Sequence, residues 1–337
     1  MISIYRFVLL LLSLILASSV SAQQTPALAG TLIVLNKSGN DASVIDLGSG
    51  ELLATLATGR GPHELVITSD GRWAIGSDYN GGNSLTVIDV ENLLVARTID
   101  LSEYPFPHGL VLLPGEEQVM VTSEGGRRLV VVDFHSGQIV RSIDTSPNAA
   151  HMVALTGNGQ RAYTSNGATN SVSVIDVPAG QQVQVIPVPA RPEAITSNLA
   201  GDEIWVGSND DGVVSVISAR DASVLARWSD FDWPYRILLT NDERYAVMPD
   251  LGNEQLRVFD AQTKTELGKL DLNGMQPQGV TFYPDDRTLL LSLSGQNKVI
   301  AVDILTQEIV REYATGAAPD GIAYSPLVLR KSIDYQQ

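Results

Sequence analysis

The sequence predicts an all-β protein folded as a seven-bladed β-propeller with four antiparallel strands in each blade. Three observations support this prediction: a repeat of 42 to 45 residues along the chain, four short alternating runs within each repeat, and incomplete repeats at the two ends that complement each other. A period of this length containing four strands is typical of propeller blades.

The repeat is visible when "LIVLNKSGNDASVIDLGSGELLATLATGRGP" (32–62) is aligned with "AYTSNGATNSVSVIDVPAGQQVQVIPVPARP" (162–192). Similar segments occupy residues 204–234 and 289–319. Six of the seven repeats have proline at the end of this segment, and the seventh has Ala150. We take the residue that follows as the marker of its repeat. The markers, which predict seven blades, are His63, His108, His151, Glu193, Tyr235, Gln278 and Asp320.

Each repeat contains four runs in which apolar and polar side chains alternate, as "HELVIT", "RWAIGS", "SLTVID" and "VARTID" do within residues 63–100. Turn sequences such as "SDG" (69–71) separate the runs, as expected for short strands joined by tight turns. Two packed β-sandwich domains are the alternative, but they would not give one uniform period along the chain. The pattern therefore favours the propeller.

The two ends of the repeat region each supply part of one blade. Residues 319–326 ("PDGIAYSP") form a first strand without its followers, and residues 31–58 supply the other three strands. Together they predict a closing blade shared by the N- and C-termini, which pairs edges that would otherwise stay open. The predicted propeller spans residues 31–326.

The segments "PDGIAYSP" and "NSVSVID" resemble the YVTN-type β-propeller repeat family. The resemblance covers residues 31–326. It implies an exported seven-bladed propeller, because this family consists mostly of exported binding or accessory proteins with mixed activities. It is specific for the fold and carries little information on function.

The N-terminus has the pattern of a secretory signal peptide. Residues 1–22 contain one Arg, a short apolar run and a small-residue end, which predicts cleavage after Ala22. Residues 23–30 then form a leader of the mature chain, and residues 327–337 form a C-terminal tail. The chain has no Cys, which excludes disulfides and thiolate metal sites. We expect a periplasmic or secreted monomer with no membrane anchor in its mature form.

The mature chain is strongly acidic. Removing Arg6 with the signal segment leaves 21 basic residues against 38 acidic residues, a net charge of −17. Such a surface repels phosphate backbones, and no basic cluster offsets it, so nucleic-acid binding is not expected.

Aspartate recurs at the end of "VID"-like strands. An aspartate there can accept hydrogen bonds from the amides of its own turn, so we assign these residues to the fold and not to a site. The positions are Asp46, Asp89, Asp133, Asp176, Asp260 and Asp303, with Ser218 in the remaining blade.

The markers are the candidate metal site. By resemblance to propellers, each lies at the start of an innermost strand, so together they surround the mouth of the central channel. His63, His108, His151 and Glu193 follow one another on successive blades, and three imidazoles with a carboxylate can hold one zinc, copper or iron ion. The alternative is that these side chains line a water-filled channel. His135 lies in an outer turn, where we expect solvent.

Aromatic and cationic residues near the markers are the candidate ligand-binding residues. Two loops, "SEYPFP" (102–107) and "SDFDWP" (229–234), lie on the same predicted face. Their aromatic side chains suit a flat or anionic small ligand, unless they pack between blades. The candidates are Tyr104, Phe106, Phe231, Trp233, Tyr235, Gln278, Asp320, Arg60, Arg191 and Arg236.

These features predict a scaffold that binds a small ligand or a metal ion at the channel mouth. One alternative is a metal-dependent enzyme, a hydrolase, lyase or oxidoreductase, with Glu193 as fourth ligand or general base. Another is an interaction accessory of a periplasmic redox system, with a protein partner. No nucleophile elbow, phosphate-binding loop or dinucleotide fingerprint occurs in the sequence.

Overall fold

The computed structural model describes residues 27–330. The predicted signal peptide (1–22), part of the predicted leader and the end of the predicted tail lie outside the described residues. Within residues 27–330, no helix is long and apolar enough to cross a membrane.

The described residues form 28 strands and a single one-turn 3-10 helix, Gly167–Thr169. In chain order the strands are β1 (Thr31–Asn36), β2 (Asp41–Asp46), β3 (Leu52–Ala57), β4 (Pro62–Ile67), β5 (Trp73–Asp78), β6 (Ser84–Asp89), β7 (Leu94–Asp100), β8 (Pro107–Leu112), β9 (Gln118–Ser123), β10 (Arg128–Asp133), β11 (Gln138–Asp144), β12 (Val153–Leu155), β13 (Arg161–Asn166), β14 (Ser171–Asp176), β15 (Gln181–Pro187), β16 (Pro192–Ser197), β17 (Glu203–Ser208), β18 (Val213–Ser218), β19 (Val224–Trp228), β20 (Leu238–Leu239), β21 (Tyr245–Asp250), β22 (Gln255–Asp260), β23 (Thr265–Asp271), β24 (Pro277–Phe282), β25 (Thr288–Leu293), β26 (Lys298–Asp303), β27 (Glu308–Ala314) and β28 (Pro319–Ser325).

These strands form seven four-stranded antiparallel sheets, which confirms the predicted propeller. The closing blade has the order β28-β1-β2-β3, and each of the other six takes four consecutive strands, from β4–β7 to β24–β27. We number the blades from the closing blade as the first. In that blade Thr31 pairs with Ser325 and Asn36 with Pro319, so both ends of the described chain complete one sheet.

The hydrophobic core lies between the blades. Seven clusters of buried residues each fill the gap between two neighbouring sheets. The gap between the second and third blades, for example, is filled by Ile75 and Val87 from one side and Leu110 and Val121 from the other. Because alternate side chains of each strand enter opposite gaps, the middle strands are buried on both faces.

The recurrent aspartates close the turns between the third and fourth strands of their blades. The backbone N–H of Ser49 donates to Asp46 Oδ1 at 2.6 Å, and that of Ser136 donates to Asp133 Oδ1 at 2.8 Å. Asp89, Asp176, Asp260 and Asp303 accept equivalent bonds. These residues therefore belong to the fold, as predicted.

Asp78 is a fully buried carboxylate at the end of β5. Its Oδ2 accepts hydrogen bonds from Ser84 at 2.6 Å and Thr86 at 2.9 Å, while Oδ1 has no partner. Burial raises the pKa of Asp78 to about 6. Asparagine occupies the equivalent position in the first and fourth blades, as Asn36 and Asn166, and both donate to strand hydroxyls there.

We therefore expect Asp78→Asn to stabilise the protein at pH 7.5. The folded-state pKa lies above the unfolded value, so Asp78 destabilises the fold increasingly as pH rises from about 4 to 6. Two pKa units correspond to about 2–3 kcal/mol, which sets the upper limit of the gain in free energy of unfolding. Urea unfolding at pH 7.5 and pH 4 measures it. The same difference at both pH values would contradict this assignment.

Candidate functional site

A β-bulge at the start of the innermost strands positions the markers. In the second blade Pro62 pairs with Asp78 and Leu65 pairs with Gly76, so His63 and Glu64 share one place in the ladder. The same irregularity recurs in β8, β16, β24 and β28. A bulge re-aims side chains that would otherwise alternate between two faces. Here it brings both His63 and Glu64 to the channel mouth.

Hydroxyl groups of neighbouring blades fix the backbone of four markers. Each hydroxyl lies on the second strand of one blade and donates a hydrogen bond to the backbone carbonyl of the marker in the next blade, at 2.7 to 2.8 Å. The pairs are Ser77 with His108, Thr122 with His151, Ser165 with Glu193, and Ser292 with Asp320.

Three marker histidines form one continuous cluster. The rings of His63 and His108 meet edge to face with centroids 4.4 Å apart, and His108 stacks on His151 at 3.8 Å. The ring of Tyr79 lies 4.5 Å from that of His108. The structure thus brings together the histidines that the sequence singled out.

His108 is the most unusual member of the cluster. It is fully buried, and neither of its ring nitrogens has a hydrogen-bond partner. Burial, together with the adjacent histidines, lowers the pKa of His108 well below its ordinary value, so the ring is neutral. Candidate ligand atoms of His63, Glu64 and His108 lie within 4.8 Å of one another, and within residues 27–330 this is the group that could hold a metal ion.

Asp320 anchors one side of the cluster. Its Oδ2 lies 2.6 Å from His63 Nδ1 and 2.5 Å from Lys37 Nζ, and it accepts a hydrogen bond from the Tyr235 hydroxyl at 3.0 Å. Although burial opposes the charge, His63 and Lys37 hold the pKa of Asp320 well below its usual range. Burial lowers the pKa of His63, although the neighbouring Asp320 acts in the opposite direction.

His151 lies between two carboxylates on the other side of the cluster. Its Nδ1 is 3.5 Å from Glu124 and its Nε2 is 3.9 Å from Glu193. Burial opposes protonation, but these carboxylates raise the pKa of His151 to about 9. Glu124 also accepts a hydrogen bond from the Tyr79 hydroxyl at 2.9 Å, and Glu193 accepts one from Asn209 at 2.6 Å.

A polar pocket of about 360 Å³ opens beside His151. Its walls include Tyr79, Glu124, Glu193, Arg191 and Asp210. A cavity of about 850 Å³ lies along the innermost strands, lined by residues such as 65–67 and 110–116. The marker network, which we define as His63, Glu64, His108, His151, Glu193, Tyr235, Arg236 and Asp320, therefore lies at one end of the central channel. A ligand-sized pocket opens at its edge.

Only some of the predicted ligand-binding residues join the marker network. Tyr235, Arg236 and Asp320 belong to it. Gln278 is half-buried, and its side-chain oxygen has no hydrogen-bond partner. Tyr104 packs against the core between the second and third blades.

The remaining candidates lie around the mouth or behind it. Phe106 is exposed, 6.2 Å from the ring of Tyr79, and Arg191 covers Trp233 at 4.8 Å. Arg60 is exposed near the turn after β5. Phe231 is buried under the guanidinium of Arg257 at 3.9 Å, which is a packing role.

Sequence reasoning missed Glu64 and a second ring of residues. Lys37, Tyr79, Glu124 and Asn209 each directly follow the second strand of their blade. An alignment of the repeats on the end of the second strand would have identified these residues as a second equivalent position that faces the same mouth.

Comparisons with known proteins support the fold and no narrower statement. No family model matches the chain, so its resemblance to the YVTN-type repeat stays a prediction. Antigen Lp49 of Leptospira interrogans is 24% identical over 197 residues, which are 52% of this chain and 42% of that protein, so the chain spans less than half of this relative.

Solved structures show the same architecture. A functionally unknown protein of Desulfotomaculum acetoxidans aligns with a TM-score of 0.73 and 15% identity, over 88% of this chain and 99% of that one. The β-propeller domain of Myceliophteria thermophila Cps50 (Swd1) aligns with a TM-score of 0.63 and 15% identity, over 74% and 85%. At this identity the likeness establishes a β-propeller and no activity.

Proposed function

We propose that this protein is an exported propeller that binds one transition-metal ion at its channel mouth through His63, Glu64 and His108. The observation that carries the proposal is His108, a fully buried neutral imidazole with no partner at either ring nitrogen. An unpartnered buried polar group destabilises the fold, and a metal ion between it and two neighbouring ligand groups would satisfy it.

The donor set and its surroundings fit such an ion. Two imidazoles and one carboxylate suit zinc, copper or iron. His63 Nδ1 lies 2.6 Å from Asp320 Oδ2 and 3.7 Å from Glu64 Oε1, so a carboxylate outside the ligand group stands beside the ring and can orient it. Ligands of a tetrahedral zinc ion lie about 3.4 Å apart, given zinc bonds of about 2.0–2.1 Å. The three side chains, now within 4.8 Å, would therefore close slightly inward.

The proposed ligands differ from those expected from the sequence, which were His63, His108, His151 and Glu193. Glu64 takes the place of Glu193, because Glu64 belongs to the compact group while Glu193 lies beyond His151. His151 stacks on His108 and flanks the site as a neighbour. The polar pocket beside it gives a small polar ligand access to the same mouth.

The matched pair Glu64→Gln and Glu193→Gln tests the proposal. Both carboxylates face Arg236 from opposite sides, so each change removes one charge from the same network. We expect the wild type to bind close to one equivalent of zinc after dialysis against a chelator. In a calorimetric titration, Glu64→Gln is expected to weaken binding by about 100-fold, and Glu193→Gln to weaken it far less than Glu64→Gln does.

Two outcomes would overturn the proposal. One is a wild-type protein that retains no zinc, copper or iron near one equivalent. The other is a Glu193→Gln variant that loses the ion while Glu64→Gln keeps it, which would move the site to the far side of His151.

A further inference from the structure

Arg236 crosses the channel mouth and holds the carboxylate that the proposed metal site needs. It follows the marker of the sixth blade and is buried, yet its Nη2 contacts Glu64 Oε1 on the second blade. On its other side Nη1 lies 3.7 Å from Glu193 Oε1 on the fifth blade. One guanidinium thus stands between two carboxylates of different blades.

The guanidinium is held in place by its own blade as well. Nη1 donates to the Tyr235 carbonyl at 2.6 Å, and the guanidinium carbon lies 4.1 Å from the centroid of the Tyr235 ring. Tyr235 is in turn fixed by its hydroxyl bond to Asp320. These contacts with its own blade do not involve Glu64, so they hold the guanidinium at the mouth independently of that carboxylate.

A metal ion at Glu64 would meet this resident cation. Two cations at one carboxylate repel strongly in a site shielded from water. An ion with strong affinity for imidazole has two further ligands, His63 and His108, with which to outcompete the guanidinium. Calcium and magnesium prefer oxygen ligands, and the carboxylate of the group is already engaged by Arg236.

We infer that Arg236 is the specificity-determining residue of this site. In the metal-free protein its guanidinium pairs with the carboxylate of Glu64. Only a transition metal that also binds imidazole displaces the guanidinium, which then turns toward Glu193. The inference rests on the proposed function, since it concerns the same three ligands. It adds that the affinity for metal is set by an internal competitor.

Arg236→Gln tests this inference, with Arg128→Gln as the control that removes the same charge elsewhere. Arg128 pairs with Asp144 at 3.6 Å in the outer strands of the third blade. In competition with a chelator of known affinity, we expect Arg236→Gln to bind zinc at least about tenfold more tightly than the wild type, and Arg128→Gln to stay near the wild type. Thermal unfolding of each metal-free variant checks that it folds.

Chemical rescue gives a second readout on a different variant. Arg236→Ala leaves space at the mouth, and millimolar guanidinium chloride, far below denaturing concentrations, is expected to restore the competitor and weaken zinc binding again. Sodium chloride at equal ionic strength controls for screening and is expected to have a smaller effect.

The outcomes separate this inference from the proposed function. If the wild type binds zinc and Arg236→Gln binds it no more tightly, the inference is overturned and the proposed metal site is unaffected. Zinc binding by Arg236→Gln but not by the wild type would support the competition and overturn metal binding as the native function. Zinc binding by neither would overturn both.

Discussion

Deleting residues 319–337 is expected to destroy the cooperative fold of the propeller. The deletion removes β28, the innermost strand of the closing blade, which pairs with β1 from Thr31 to Asn36. It also removes Ile322 from the core between the seventh and first blades and Asp320 from the channel mouth. We expect aggregation or a fall in melting temperature of more than about 10 °C, because a sheet edge and two blade faces become exposed.

Deletion of residues 331–337 alone is the matched control, and it leaves every described contact in place. Size-exclusion chromatography and thermal unfolding monitored by circular dichroism compare the two truncations. A 319–337 deletion that stays monomeric and melts like the full-length chain would show that ring closure by the two ends is unimportant for stability.

The second large effect is expected from His108→Ala, which is predicted to weaken zinc binding by about 100-fold or more. The control is His135→Ala. His135 lies in an outer turn, 3.3 Å from Glu117, and its ring packs on Phe134 and Trp73. We expect this variant to bind zinc like the wild type, as measured by elemental analysis after dialysis.

A third variant separates metal loss from misfolding. His108→Leu replaces a buried ring that has no hydrogen-bond partners with an apolar side chain. Removing an unsatisfied buried polar group favours folding, so we expect the metal-free variant to be at least as stable as the metal-free wild type and still to bind no zinc. Equal loss of zinc in His108→Leu and His135→Ala would contradict the assignment.

The fold was predictable because a propeller repeats one structural unit, the four-stranded blade. Each blade needs the same alternating strands, turn residues and proline-preceded marker, so one aligned period shows the whole ring. The structure departs from regularity only in detail. In the fourth and sixth blades the innermost strands shorten to Val153–Leu155 and Leu238–Leu239, and His151 and Tyr235 precede them.

The site was predictable in part. His63, His108 and His151 do meet at the channel mouth, since repeat register places equivalent residues around one axis. Glu64 could not be found in this way, because strict alternation sends neighbours in a strand to opposite faces. The bulge that brings it beside His63 depends on backbone pairing between Pro62 and Asp78, which hydrophobic alternation does not encode.

Side-chain reach also exceeded what sequence position suggests. Arg236 spans the mouth to Glu64, and Lys37 reaches Asp320 from the end of a different strand. Conversely, Tyr104 lies in a loop near the mouth but packs into the core between blades. Loop aromatics near a channel can fill either place, and the choice depends on three-dimensional packing.

Anomalous diffraction at the zinc edge, from crystals grown with one equivalent of zinc, would locate the bound ion. We predict one strong peak at the channel mouth, bound by His63, Glu64 and His108, with the guanidinium of Arg236 turned away from Glu64. A peak bound instead by His151 and Glu193, or a zinc ion held only by surface groups such as His135 and Glu117, would contradict it.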